Sequence, residues 1–91
     1  MKKLPDDVVA YKKTPEFTQT KVPAGLLKDH QTKAGVWGEI VVLEGCLEYT
    51  ITQPTLEVVL LHEGQCGVVE PTIVHHVMPL GQVRFYVEFS R

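Results

Sequence analysis

Only one serine, Ser90, occurs in the 91 residues, next to the last residue of the sequence, so a serine triad has no placed nucleophile. Cysteine is equally sparse. Cys46 and Cys66 stand twenty residues apart with no CxxC pair, which in a reducing compartment favours two buried thiols over a disulfide or a thiolate metal pair. A cysteine nucleophile is conceivable for Cys66, but spacing does not define a histidine partner for it. Basic clusters are missing too: 9 lysines and arginines face 11 acidic residues, the net charge is −2, and the longest basic runs are Lys2-Lys3 and Lys12-Lys13. Nucleic acid is thereby an unfavoured partner. The start lacks the apolar run of a signal peptide, because Pro5, Asp6 and Asp7 stand where it should be, and no segment approaches a membrane span. The expectation is a soluble, cytoplasmic protein with no membrane partner. No window has a helical period, and no internal repeat, low-complexity stretch or long linker divides the chain, so residues 1–91 are read as a single domain.

What is present is strand pattern. The chain is organised around residues 30–51, where β-branched and aromatic side chains between Trp37 and Leu43 are followed by Leu47, Tyr49 and Ile51 in alternation with Cys46, Glu48 and Thr50. A glycine between the two runs predicts a hairpin folded over Glu44-Gly45. The first of these strands is apolar on both faces, with Ile40 and Val42 on one and Trp37, Val41 and Leu43 on the other, which implies a central strand. Apolar surface on so small a chain further implies a homodimer. Around this core the spacing predicts strands over 8–13, 24–30, 56–62 and 66–70, with an edge strand or linker over 16–23. A last pair is predicted over 74–78 and 83–89, joined through Pro79-Leu80-Gly81. Prolines 5, 15 and 71 mark strand ends, since proline offers no amide to a ladder. Eight or so short strands without helix mean an all-β sandwich or small barrel.

Five stretches carry a family resemblance: Thr14-Pro15, VPAGLLKDH at 22–30, TKAGVWG at 32–38, VLEGCLEY at 42–49 and VEPTIVHHV at 69–77. In this order they resemble the small TehB/YeaR-like cupins, whose name is linked to tellurite resistance. The resemblance spans nearly the whole chain. It implies a cupin-like double-stranded β-helix, a small jelly-roll barrel, often with a metal at its mouth. Some TehB proteins carry a methyltransferase that uses S-adenosylmethionine after the cupin. The 91 residues contain no GxGxxG fingerprint, so that activity is not carried over.

The general cupin metal pattern asks for HxH, then a glutamate and a glycine, then a histidine in a second motif that opens on glycine and passes through proline. Gly45 matches the closing glycine and residues 64–71 approximate the second opening, but there is no HxH. Counting back from Gly45, the glutamate slot falls on Gly38, beside Glu39, and the histidine slots fall just after His30. By resemblance His30 is the first ligand candidate; its alternative is a surface histidine beside Asp29. The family spacing after Pro71 selects His75 and the general cupin spacing selects His76. Adjacent strand residues face opposite ways, so at most one of the two points inward. A carboxylate should complete the set, Glu88 first and Glu39 less so. For each the alternative is an ion pair with a neighbouring strand, for example Glu39 with Arg84. His62 is expected to be a surface histidine at a strand end.

Imidazole suits zinc, iron, nickel and copper, so the expected cofactor is a divalent metal of unassigned identity. Trp37, Tyr49, Phe85 and Tyr86 could line a small cavity, or simply form core. Two functions follow. One is a metal-dependent small cupin enzyme acting on a small oxyanion or oxygenated metabolite through a centre based on His30 and His75. The other is a non-catalytic ligand-binding or stress-response module without metal.

Overall fold

The computed structural model describes residues 3–91, and in it two long strands carry the whole sheet. The strands are β1 (Ala10–Lys13), β2 (Phe17–Thr18), β3 (Trp37–Gln53), β4 (Glu57–His62), β5 (Cys66–Val69) and β6 (Val74–Ser90). A single 3-10 turn, Ala24–Leu26, is the only helical segment among the described residues. None of their helices is long and apolar enough to cross a membrane. The strands pair antiparallel in the order β1-β6-β3-β4, with β2 added to β6 and β5 added to β3.

The expected hairpin at Glu44-Gly45 does not form. β3 runs through this point for 17 residues, and β6 runs antiparallel beside it from Gln53↔Val74 to Trp37↔Ser90. The reason is the partner. Both halves of β3 find their hydrogen bonds on β6, so neither needs the other, and Gly45 serves as a bend rather than a reversal. Its φ is +79°, and a Cβ built there would fall on the backbone carbonyl oxygen of Gln82. Only glycine fits such a position. The pair over 74–78 and 83–89 is corrected in the same way. Gly45 faces Val83 while Leu47 faces Pro79, so Leu80, Gly81 and Gln82 stand against Cys46 alone, an excess of two residues bulged out of one continuous strand.

Each half of β3 has its own outer neighbour: β5 along Gly38 to Val41, and β4 along Cys46 to Ile51. Bending between these halves brings their inner faces together. Ile40, Val42, Val69, Val83, Phe85 and Val87 come from one side, and Leu47, Tyr49, Ile51, Leu61 and Val77 from the other, and all are buried. Each such aliphatic or aromatic side chain contributes about 1.5–3 kcal/mol on burial. Tyr49 stitches the halves by donating its hydroxyl hydrogen bond to the Val68 carbonyl at 3.0 Å. The approach is so close at Gly67 that a Cβ would lie 2.7 Å from Leu61 and 3.0 Å from Tyr49.

The outward face of the first half of β3 is only partly covered: Trp37, Val41 and Leu43 are half-buried. The larger exposed apolar side chains lie elsewhere, at Val58 and Leu60 on β4 and at Met78 on β6. Two further expectations change. The strand expected over 24–30 is a 3-10 turn followed by irregular chain, whose backbone bridges the sheet where His30 meets His75. Its alternation is real, but a three-residue turn built on Pro23 consumes it, with Leu26 and Leu27 amides donating to the carbonyls of Pro23 and Ala24. The strand expected from residue 8 begins at Ala10, although Val9 still exchanges both backbone hydrogen bonds with Arg91 at 3.1 Å.

Candidate functional site

A cavity of about 400 Å³ opens between the two halves of the sheet, within the volume range of small-molecule sites, roughly 300–1,000 Å³. Its wall is apolar where β3, β5 and β6 supply Ile40, Val69, Val77, Phe85, Val87 and Phe89. Segment 26–36 closes one side with Leu26, His30, Gln31, Thr32, Lys33 and Val36, and β1 adds Tyr11 and Lys12.

Two histidines stand together beside this apolar wall. His30 and His75 exchange backbone hydrogen bonds in both directions, each 2.9 Å, and their rings lie 4.1 Å apart between centroids at a tilt of 51°. Each ring is held by its own stretch of chain. Nδ1 of His30 lies 3.2 Å from the Lys28 carbonyl oxygen, and Nδ1 of His75 lies 3.2 Å from that of Ile73. A carbonyl only accepts, so Nδ1 carries the hydrogen in both neutral rings and Nε2 keeps its lone pair. No described residue hydrogen-bonds either Nε2, and no buried side-chain nitrogen among the described residues is left without a partner. Each Nε2 is therefore without a partner and not fully enclosed, on a ring that lines the cavity. His75 is 3% exposed, and burial, followed by the charge of His30, pushes its pKa down to about 4. At neutral pH it is an uncharged acceptor. Tyr49 meets its ring edge-on at 5.7 Å, and burial pushes the Tyr49 hydroxyl above the usual phenol range.

The other candidates are spread out. His76 lies on the outer side of β6, where Nδ1 meets the Asp29 carboxylate at 2.7 Å. Asp29–His76 and His30–His75 thus grip the same crossing from opposite faces. Glu39 and Glu88 stand directly opposite each other in the β3–β6 register, alternate with cavity-lining neighbours, and are not part of the cavity wall. The ion pair expected as the alternative for Glu39, with Arg84, is absent. Arg84 instead binds Glu16 at 2.7 Å and Glu44 at 3.0 Å, because Glu44 is its register partner across the bend. Lys13 faces Glu88 in register, yet its Nζ sits 4.2 Å above the Tyr86 ring. His62 is an exposed strand-end residue whose amide donates to the Gln65 side chain at 2.8 Å.

Cys46 is half-buried and Cys66 exposed, both as free thiols, which corrects the expectation of two buried ones. Burial and then Glu39 push the Cys66 pKa up, toward the unreactive thiol. Of the four aromatics named as possible cavity residues, Phe85 lines it, while Trp37, Tyr49 and Tyr86 do not.

The donor set facing the cavity is thus two imidazoles without a carboxylate or thiolate, and the described residues contain no group of three or more potential metal ligands. It falls short of the three or four protein ligands of a usual metal centre. Sequence reasoning missed Lys12 and Lys33. Lys12 appears in the sequence only as half of a basic pair, and nothing in its spacing reveals that β1 places it beside a cavity made by strands far along the chain.

Comparison with known proteins agrees with this architecture. A family model described as the TehB-like domain matches residues 12–87. The probable S-adenosyl-L-methionine-dependent methyltransferase TehB of Haemophilus influenzae (strain 10810) is 32% identical over 79 residues, which is 82% of this chain and 28% of that protein. The chain therefore spans well under a third of that relative. A crystal structure of an E. coli (strain K12) protein matches with a TM-score of 0.90 at 23% identity, covering 100% of this chain and 97% of that one. A cupin-2 domain containing protein from Shewanella frigidimarina NCIMB 400 matches with a TM-score of 0.58 at 16% identity, over 89% of this chain and 64% of that one. These two likenesses speak to fold: the bent sheet is a cupin-like, all-β arrangement.

Proposed function

Because the chain belongs to the TehB-like family, we propose that its cupin-like fold is a small-ligand-binding domain whose recognition centre is the His30–His75 pair. The observation that carries this reading is the pair of imidazoles, each pinned through Nδ1 and each with an unpartnered Nε2, lining a cavity of about 400 Å³ whose β3, β5 and β6 wall is otherwise apolar. Acceptors held in place at an apolar wall orient a ligand at little cost in ordering, since their rotamers are already fixed. Methyl transfer is not part of the reading. The methyltransferase named above is a protein of which this chain matches 28%.

A second reading is supported by the Nδ1 contacts, because metal-bound histidines commonly donate their other ring hydrogen to a carbonyl or carboxylate. A divalent metal such as zinc, iron or nickel would find two protein ligands here, His30 and His75, and would take the others from outside the protein.

One set of titrations separates the two. The ring nitrogens of His30 and His75 are followed by nitrogen-15 NMR while either zinc ion alone or a panel of small organic molecules is added. Binding of panel members at the Ile40, Val77 and Phe85 wall without metal supports the first reading. Stoichiometric zinc uptake that is lost in His30→Ala/His75→Ala supports the second. If neither addition moves the two rings, the site reading fails altogether.

A further inference from the structure

The cavity mouth has a charge that the histidine pair does not explain. Lys12 and Lys33 both line it, neither has an ion-pair partner among the described residues, and no aspartate or glutamate lines the cavity at all. On a chain of net charge −2 this is a local reversal of sign. Two exposed lysines at the rim of an apolar wall, without an ion-pair partner among the described residues, attract anions and disfavour cations. Behind them, Val36, Val69, Phe85, Val87 and Phe89 are apolar and present nothing that hydrogen-bonds through a side chain. The two Nε2 atoms then require the opposite of an anion, because a lone pair accepts and does not donate.

From these three features, and resting on the ligand-binding reading above, we infer that the cavity takes a small organic acid: a carboxylate, a compact apolar body, and a hydroxyl or N–H donor. The carboxylate is held by Lys12 and Lys33, the body lies on the apolar wall, and the donor group hydrogen-bonds Nε2 of His30 or His75. An inorganic oxyanion such as phosphate satisfies the lysines, and its P–OH can reach an imidazole, but it leaves the apolar wall unused. A neutral phenol satisfies the wall and the imidazoles but leaves the lysines unused. Discrimination between such ligands is steep where a buried acceptor would otherwise stay unpaired, and shallow where only apolar contact changes.

The test uses four probes on the full chain: 4-hydroxybenzoate, benzoate, 4-hydroxybenzamide and inorganic phosphate. Affinity is read by isothermal calorimetry and location by NMR shifts of cavity methyl groups. The expected order places 4-hydroxybenzoate first, with benzoate and 4-hydroxybenzamide each weaker by about tenfold or more, the scale of one charge-assisted hydrogen bond. Phosphate is expected to leave the cavity methyls unmoved. Lys12→Ala/Lys33→Ala should weaken 4-hydroxybenzoate to the level of the amide while leaving the amide itself unchanged, and added salt should weaken the acid alone. Should the amide bind in the cavity as tightly as the acid, the inference is overturned while the ligand-binding reading stands. It is overturned in the same way if the lysine variant binds the acid at full strength, or if phosphate binds as well as the organic acids. If none of the four reaches the cavity at millimolar concentration, the inference is overturned, and zinc titration then tells whether the histidine centre survives it.

Discussion

His30 and His75 grip each other twice: their backbones exchange two hydrogen bonds of 2.9 Å while their rings lie 4.1 Å apart at the cavity wall. The backbone contact ties segment 24–36 to β6, and the ring contact forms the centre proposed for ligand recognition. Position and chemistry therefore depend on the same two residues. Substitutions that spare the backbone should separate these roles.

The first expected outcome concerns acidity. His75 has a folded pKa of about 4 against an ordinary value of 6.5, set chiefly by burial. The unfolded chain therefore takes up a proton at a pH where the folded chain does not. The sign follows: the neutral ring costs nothing above pH 6.5, stability falls as pH drops from 6.5 toward 4, and the loss levels off below that. Its full size is on the order of 3 kcal/mol, at about 1.4 kcal/mol per pKa unit. Urea midpoints measured across this range should show a slope that His75→Gln reduces. An equal slope in that variant would remove His75 as the cause.

The two glycines at the fold's tightest points should behave differently from one with open space where a Cβ would go. Gly45→Ala puts a Cβ against a backbone carbonyl, so the strand must shift, and we expect the largest loss of stability in the chain. Gly67→Ala meets the buried Leu61 and Tyr49 side chains and should cost about 1–3 kcal/mol. Gly81, at φ +87° with nothing near its Cβ, should cost only about 1 kcal/mol when replaced by alanine. Thermal melts of the three variants check the order, and a Gly45→Ala protein as stable as Gly81→Ala would contradict the bend.

Tyr49→Phe tests the stitch between the two halves of the sheet. The ring stays and the hydrogen bond to the Val68 carbonyl goes, for a loss of about 1 kcal/mol. Denaturant titration with an unchanged slope would show that the compactness of the fold is preserved.

Asp29→Asn should loosen the outer grip on segment 24–36 without touching the cavity. The pair it forms with His76 is partly exposed, at 52% and 30% for the two side chains, so its contribution is of order 0.2–1 kcal/mol. The measurable consequence is faster hydrogen exchange of the His30 amide, by no more than about fivefold, since that amide is bonded to the His75 carbonyl. Unchanged exchange would mean that the inner bridge alone holds the segment.

Much of the candidate site is legible in the chain because its clues are local. Adjacent residues on a strand face opposite ways, so His75 and His76 could not both face one cavity, and the structure puts His75 inward and His76 outward. The alternation that marks residues 83–89 as a strand reappears as buried Val83, Phe85 and Val87 between half-buried Arg84, Tyr86 and Glu88. Glu39 and Glu88 show the limit of such clues. Each has a parity that the sequence reveals, yet whether that parity faces the cavity depends on which side of the sheet the chain closes over, and the cavity forms on the other side.

An all-β fold and strand parity were determined by the sequence alone, because side-chain alternation acts within a few residues. Tertiary structure alone decided that Gly45 bends one long strand instead of reversing two short ones, because β6 supplies hydrogen bonds to both halves of β3. It also decided that Lys12 and Lys33 meet His30 and His75 around one cavity. Those residues come together only when the sheet folds across itself, and the free energy that holds it folded comes from the buried inner faces, far in sequence from the groups they position.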